Sequence, residues 1–355
     1  MKKPTPLEDL IIAMIREDGP MPIDRYMALC LGHPVHGYYM SRDPFGPDGD
    51  FITAPEISQM FGELIGVWCA AAFQALGAPS QFLLIEFGPG RGTLMSDILR
   101  AVRVMPGFRE GARIHLVETS PSLRKLQAEK LGDAITWHES IESLPEGPSI
   151  IIANEFFDAL PIGQYEFHGG QWRERRIGLS AGDRLVIGLS AFPLPRPPAA
   201  EGAILEVGPL REDIARALGA RLAQTPGAAL VIDYGHTASG LGDTLQALRR
   251  HKFCSILDRP GEADLTSHVD FEGLGRAFTQ SGAVIHGPIT QRQYLIAMGL
   301  EARAAGLARA AKLPERKIIA RATERLAGEN QMDNLFKVMA ALSPGLATPY
   351  PFGLT

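Results

Sequence analysis

Phe82 to Arg100 reads FLLIEFGPGRGTLMSDILR, and this stretch decides the fold. Phe82 to Ile85 is an unbroken apolar run, short enough for a buried strand. Glu86 and Phe87 end it. Gly88-Pro89-Gly90-Arg91-Gly92 follows, then Thr93-Leu94-Met95-Ser96-Asp97-Ile98-Leu99. Leu94, Ile98 and Ala101 recur at helical spacing, so the segment is strand, glycine turn, helix. That unit opens a doubly wound α/β sheet, in which a ligand normally sits where the turn leaves the strand.

The glycine spacing narrows the ligand. A dinucleotide turn carries G-x-G-x-x-G. Here the spacing is G-x-G-x-G, and Thr93 stands next. No Gly-Lys-Ser/Thr follows, so the turn is not a P-loop. Gly88, Gly90 and Gly92 let the backbone approach a ligand that has no pyrophosphate. S-adenosyl-L-methionine (one nucleoside, one amino acid, no phosphate) is such a ligand. The bare motif also fits a glycine-rich turn that binds nothing. Ile114 to Glu118 then alternates and ends in an acid, and Ser120 can cap a helix with Pro121 at its first position. A carboxylate at the tip of the second strand can accept from both ribose hydroxyls. Glu118 lies farther from the glycines than the usual ~20 residues, and the loop Met105 to Ala112 explains the extra length. The alternative for Glu118 is an exposed strand-end charge.

At this point the chain resembles the MidA-type methyltransferases, a family that includes the mitochondrial arginine methyltransferase assisting assembly of respiratory complex I. The matching stretches are GDFITAPEISQMFGE (49–63), EFGPGRGTL (86–94), NEFFDALP (154–161), DYGH (233–236) and ADLTSHVDF (263–271). The resemblance runs through most of the chain. It implies a protein-arginine N-methyltransferase that uses S-adenosyl-L-methionine and dimethylates symmetrically. Its implied partner is a protein substrate, the complex I subunit equivalent to the mitochondrial 49-kDa subunit. It also implies that the 49–63 loop folds over the cofactor, bringing Thr53 and Pro55 to it, with Glu86 beside the glycines. From the residues alone, Thr53 and Glu56 make a capping box for a long helix, about Ile57 to Leu76.

The 355 residues have room for a large core and more than one domain. Apolar content of 45% with 21% charged is ordinary for a globular protein. The net charge of −5 leaves no electrostatic footprint for nucleic acid. Cys30, Cys69 and Cys254 lie far apart with no zinc spacing, so they read as thiols of a reducing, cytoplasmic compartment. The short apolar run in MKKPTPLEDLIIAMIRED is flanked by acids and fits neither a secretory signal nor a transit peptide. No run long enough for membrane insertion occurs. His33 and His36 lack an acid or cysteine to complete a metal set, so no metal is expected.

The expected fold is a class I methyltransferase-like α/β sheet over residues 80–290, with an N-terminal helical region at 1–79 and C-terminal helices at 291–355. A β-rich insertion follows strand four, at 164–208, with hairpins around Gly169-Gly170 and Gly182-Asp183. Ile135 to His138 is strand three, and Glu139-Ser140 at its end stands where an adenine-binding group commonly lies in this fold. Ile150 to Ala153 is strand four and Ala228 to Asp233 strand five. Phe253 to Leu257 and Val284 to Ile289 are further strand candidates. Gln291 to Leu342 reads as helical, Ala-, Arg- and Leu-rich.

The acceptor site is expected at the end of strand four. An arginine stays charged, with a pKa above ~12, so it needs acids to hold its planar fork. Glu155 is the main candidate ligand, Asp158 a second acceptor and Asn154 a polar orienter. Phe156 and Phe157 would exclude water. Alternatively Asp158 caps the turn before Pro161. Asp233, His236 and the segment Asp264 to Phe271 are expected at the substrate entrance, against a reading as ordinary loop polarity. Two other classes remain open. Asn154-Glu155-Phe156-Phe157 stands where DNA amino-methyltransferases carry Asn-Pro-Pro-Tyr, but lacks both prolines, and the acidic chain disfavours DNA; a small-molecule N-methyltransferase is the other form of that class. A non-catalytic assembly factor would keep the fold without turnover.

Overall fold

A computed structural model describes residues 4–41, 53–132, 134–329 and 331–353. The chain forms two compact units. One comprises Met1–Phe51, Asp158–Glu212 and Ser239–His268; the other comprises Ile52–Phe157, Asp213–Ala238 and Val269–Thr355.

The second unit is built on an α/β sheet. Its strands are β1 (Phe82–Phe87), β2 (Ala112–Val117), β3 (Ile135–His138), β4 (Ser149–Asn154), β5 (Gly227–His236), β6 (Val284–Thr290) and β7 (Phe336–Leu342). They lie in the order β3-β2-β1-β4-β5-β7-β6, and a short strand, Val269–Asp270, pairs with the end of β5. β1 to β5 are parallel. β7 runs antiparallel to both of its neighbours. β1, β4 and β7 are buried at every position. A strand covered on both faces is apolar along most of its length, which explains their near-continuous runs; Glu86 in β1 and Lys337 in β7 are the buried charged exceptions. The strand order reverses between β1 and β4. The crevice outside the carboxyl ends at such a switch is where ligands bind in open α/β sheets. Phe87 and Asn154 end the two strands that flank it.

Helices α1 (Ala54–Ile57), α2 (Gln59–Ala75), α3 (Thr93–Ala101), α4 (Pro121–Leu131), α5 (Pro209–Gln224) and α6 (Phe271–Gln280) follow in chain order. The helix expected at Ile57 to Leu76 does not start as its sequence suggests. Ser58 is extended and splits the segment, and its hydroxyl accepts from the Met60 N–H at 3.2 Å as the cap of α2. Thr53 makes no side-chain cap bond. Glu56 is drawn instead to the Thr93 hydroxyl and to Arg91. Residues 49–52 of the expected covering loop lie outside the described residues.

A second correction concerns the C-terminal region. Gln291–Ala297, Leu300–Ala310 and Leu313–Ala327 are helical, but Phe336–Leu342 is β7, inside the sheet. An apolar run buried on both faces shows no alternation, so periodicity cannot separate it from a buried helix. Among the described residues no helix is long and apolar enough to cross a membrane.

The first unit begins with helix Pro6–Asp18, capped by a Thr5–Glu8 capping box. Its antiparallel sheet joins Met21–Pro22, Gln171–Leu179, Gly163–His168 and Ile204–Val207 in that order, and Leu185–Leu194 also pairs with Gln171–Leu179. The hairpins expected at Gly169-Gly170 and Gly182-Asp183 are present. Leu7, Ile11, Ile15, Tyr26, Ile162 and Ile177 share its core. The strand expected at Phe253 to Leu257 is only Lys252–Cys254, part of a three-stranded sheet with Gln246–Arg249 and Asp264–Thr266.

Candidate functional site

Gly88, Gly90 and Gly92 all have left-handed backbones, with φ of 59°, 52° and 74°. Two of these positions carry a physical demand beyond the dihedral. A Cβ on Gly88 would come 3.1 Å from the Phe156 ring, and one on Gly92 would come 3.1 Å from Leu131. The turn closes with the Gly92 N–H donating to the Pro89 carbonyl at 2.8 Å, and α3 starts at Thr93. The Thr93 hydroxyl, where a dinucleotide turn needs no side chain, meets Glu56 and Lys130. The segment Thr53 to Ile57 is thereby tied to the glycine turn through Glu56.

Glu118 follows β2 and is 8% exposed. Its Oε1 accepts from the Ser120 N–H at 2.8 Å, and its Oε2 accepts from the Gln127 amide at 3.3 Å. Burial pushes its pKa up, while bonds from the Ser120 backbone and Gln127 pull it down. Ser120 caps α4 with Pro121 in its first turn, as the sequence suggests. Arg124 reaches back from α4 to the carbonyls of Glu118 and His138, joining the ends of β2 and β3. Glu139 and Ser140 come next and are exposed. Arg124 lies 3.9 Å from the Glu139 carboxylate, and the Ser140 carbonyl accepts from the Ser143 hydroxyl.

Glu86 lies under the turn, 2% exposed. Burial pushes its carboxyl up to about 8, with the Met95 N–H lowering it and the Glu118 charge raising it. A carboxyl whose folded pKa exceeds its unfolded value gives stability that is present below about pH 4.5 and lost as pH rises to about 8. Glu86→Gln removes this titration. Chemical unfolding at pH 5 and pH 8 should show wild type losing a few kcal/mol more than the variant. Equal losses would show that Glu86 ionises normally.

Asn154 ends β4 and is 8% exposed; its Oδ1 has no hydrogen-bond partner among the described residues. Glu155 has φ of 48°, a left-handed conformation that costs a non-glycine residue energy and clusters at functional sites. Its N–H donates to the Ile232 carbonyl. Its Oε1 accepts from the Ala54 N–H at 3.0 Å and from Asn154 Nδ2 at 3.4 Å. Thr53 precedes Ala54 as the cap residue of α1, and Pro55 is buried in its first turn. Phe156 packs between Phe87 and Phe157, and Phe157 is fully buried.

Asp233 is fully buried within β5, three residues before its end. Its two oxygens accept from the N–H groups of Phe157 (3.0 Å) and Tyr234 (2.9 Å). It braces the turn after β4. His236 is half-exposed, 3.9 Å from Asp270, which in turn caps α6. Asp158 belongs to the other unit. There its carbonyl accepts from the Ser267 N–H and from Arg211. Asp264 accepts from the Tyr39 hydroxyl at 2.8 Å.

So the second unit brings the glycines, Glu86, Glu118, Thr53, Pro55, Asn154 and Glu155 to the carboxyl ends of β1, β2 and β4 or to the segment tied there. A model of a family of S-adenosyl-L-methionine-dependent methyltransferases matches residues 64–289. The chain belongs to that family. Its cofactor is S-adenosyl-L-methionine. The protein arginine methyltransferase NDUFAF7 homolog, mitochondrial, of Drosophila melanogaster is 37% identical over 372 residues, covering 94% of this chain and 84% of its own. The mitochondrial protein arginine methyltransferase NDUFAF7 of Danio rerio is 39% identical, covering 80% of this chain and 74% of its own. The crystal structure of a COG1565 superfamily member from Burkholderia thailandensis, bound to S-adenosyl-homocysteine, matches with a TM-score of 0.85 at 27% identity, covering 98% of this chain and 96% of that one.

The residues of this methyltransferase fit the cofactor. The turn has room for close backbone approach, and Thr93 stands where a dinucleotide turn carries the third glycine that packs its helix against the strand. A buried carboxylate stands at the tip of β2 with both oxygens oriented. Among the described residues no group of three or more His, Cys, Asp or Glu could hold a metal. Sequence reasoning missed Gln127, Arg91 and the pairing of Glu56. Gln127 lies on a helix with a weak apolar stripe, where a lone glutamine reads as a solvent-facing side chain.

Proposed function

We propose that this methyltransferase is a protein-arginine N-methyltransferase that symmetrically dimethylates a complex I subunit of the 49-kDa type during assembly of that complex. The relatives' names support arginine as acceptor. The carrying observation is Glu155, a carboxylate in a strained backbone at the tip of β4, beside a buried Asn154 with an acceptor oxygen to spare. When bound, the cofactor supplies a methyl group activated by a sulfonium. The chain's own residues must then hold a guanidinium that never loses its charge at neutral pH. Glu155 accepts from its N–H groups, Asn154 Oδ1 orients the nitrogen to be methylated, and Phe156 and Phe157 keep water out. Positioning of this kind supplies much of the barrier reduction. The expected contacts of Glu139 and Ser140 with adenine, and of His236 with the substrate, belong to the same proposal. The three cysteines are free thiols, which supports work in a reducing compartment, the cytoplasm.

Glu155→Gln tests it. The variant is expected to bind S-adenosyl-L-methionine as wild type does, yet to lose methyl transfer to arginine by about a hundredfold or more, since a charge-assisted pair is replaced by a neutral one. Transfer is measured with labelled cofactor and the purified complex I subunit. Wild-type turnover in the variant would remove Glu155 from the site.

A further inference from the structure

Gln127 is fully buried on α4. Its amide joins three segments distant in sequence. Nε2 donates to the Gly90 carbonyl at 2.7 Å and to Glu118 Oε2 at 3.3 Å, while Oε1 accepts from the Trp137 indole N–H at 2.8 Å. The amide has one workable orientation. A carbonyl and a carboxylate only accept, and an indole N–H only donates, so exchanging N and O would break all three bonds. No other side chain meets this set. Lysine and arginine cannot accept from Trp137, and glutamate would face Glu118 with a second carboxyl.

We propose that Gln127 is a positioning residue of the cofactor site. It fixes the separation between the glycine turn and the Glu118 carboxylate, and it sets the rotation of that carboxylate. The Ser120 N–H holds one Glu118 oxygen at 2.8 Å and Gln127 holds the other. With both oxygens tethered, the lone pairs left over keep one direction, toward the ribose hydroxyls of the adenosyl group. This rests on Glu118 as the ribose acceptor. Gln127 touches no reacting atom. It acts through Glu118 and through the Gly90 carbonyl.

A double-mutant cycle on the full chain tests it, read as calorimetric affinity for S-adenosyl-homocysteine. Gln127→Met keeps the volume and deletes the three bonds. It is expected to weaken binding about tenfold, with the unliganded unfolding midpoint recorded alongside. In the Glu118→Ala background the same change should cost less than about threefold, because the group it positions is gone. Gln127→Glu supplies a second signature. A protonated carboxyl can still donate to Glu118, and two ionised ones repel. Its affinity should therefore fall as pH rises from 5 to 8 more steeply than that of wild type. Affinity of Gln127→Met within about twofold of wild type, or losses that multiply independently with Glu118→Ala, would overturn the proposal. Glu118→Ala with wild-type affinity would overturn the ribose reading itself and the positioning role with it. A flat pH profile for Gln127→Glu counts against the inference even if Gln127→Met fails to fold.

Discussion

Gly90→Val is expected to abolish S-adenosyl-homocysteine binding while the sheet stays folded. Gly90 sits at φ of 52°, where a β-branched residue is strained. That strain costs on the order of 1–3 kcal/mol, which a chain of this size can absorb. The effect on the ligand is larger, because the valine methyls would occupy the space through which the backbone approaches it. The Gly90 carbonyl also anchors Gln127, so displacement of the turn would disturb Glu118 as well. Loss of more than about a thousandfold in affinity is expected, about 4 kcal/mol, with Gly90→Ala intermediate. Calorimetry gives the affinity and circular dichroism checks the fold. A folded Gly90→Val that binds within tenfold of wild type would mean that the ligand lies elsewhere.

The second large effect is on stability. Arg211 stands in the first turn of α5 and is 5% exposed. Its guanidinium donates to the carbonyls of Asp158 (2.9 Å), Leu160 (3.0 Å) and His268 (2.9 Å) and to the Ser267 hydroxyl (2.7 Å). Two of the segments singled out in the sequence, 154–161 and 263–271, thus meet one buried cation. Arg211→Met preserves length but removes the four bonds at once; the Asp158 carbonyl keeps the Ser267 N–H, and the other three acceptors lose the Arg211 donor. Each buried acceptor left unmade costs about 1–3 kcal/mol, while removing the buried charge recovers part of its desolvation. The balance is a destabilisation of about 3 kcal/mol. Chemical unfolding should show it, and Arg211→Lys should recover only part. An unchanged midpoint for Arg211→Met would show that those carbonyls find water or other donors.

The sheet was legible where burial left a mark in the chain. β1, β4 and β5 were readable as short, mostly apolar runs and β2 from its alternation, and the glycine spacing marked the turn that follows β1. The ordered pair Glu118 and Ser120 was readable because strand-end acids and helix caps obey local rules. β7 was hidden, since FKVMAAL lies next to alanine-rich helices and a doubly covered strand has no alternation. The break at Ser58 was hidden because Thr53-Ala-Pro-Glu56 satisfies the capping pattern on its own; Glu56 instead meets Thr93 and Arg91, partners set by tertiary structure. Gln127 and Arg211 could not be read at all. Each gains its role from groups far away in sequence, and a single chain carries no record of those meetings. Asp233 was readable as an acid of β5, but not its bonds to the N–H groups of Phe157 and Tyr234.

The most direct measurement is calorimetric titration of the wild-type protein with S-adenosyl-homocysteine and, separately, with NAD. The G-x-G-x-G turn with Thr93 at its end, and Glu118 held beside it, predict saturable one-to-one binding of the adenosyl ligand and no heat from NAD. Binding of NAD, or no binding of S-adenosyl-homocysteine, would contradict the account.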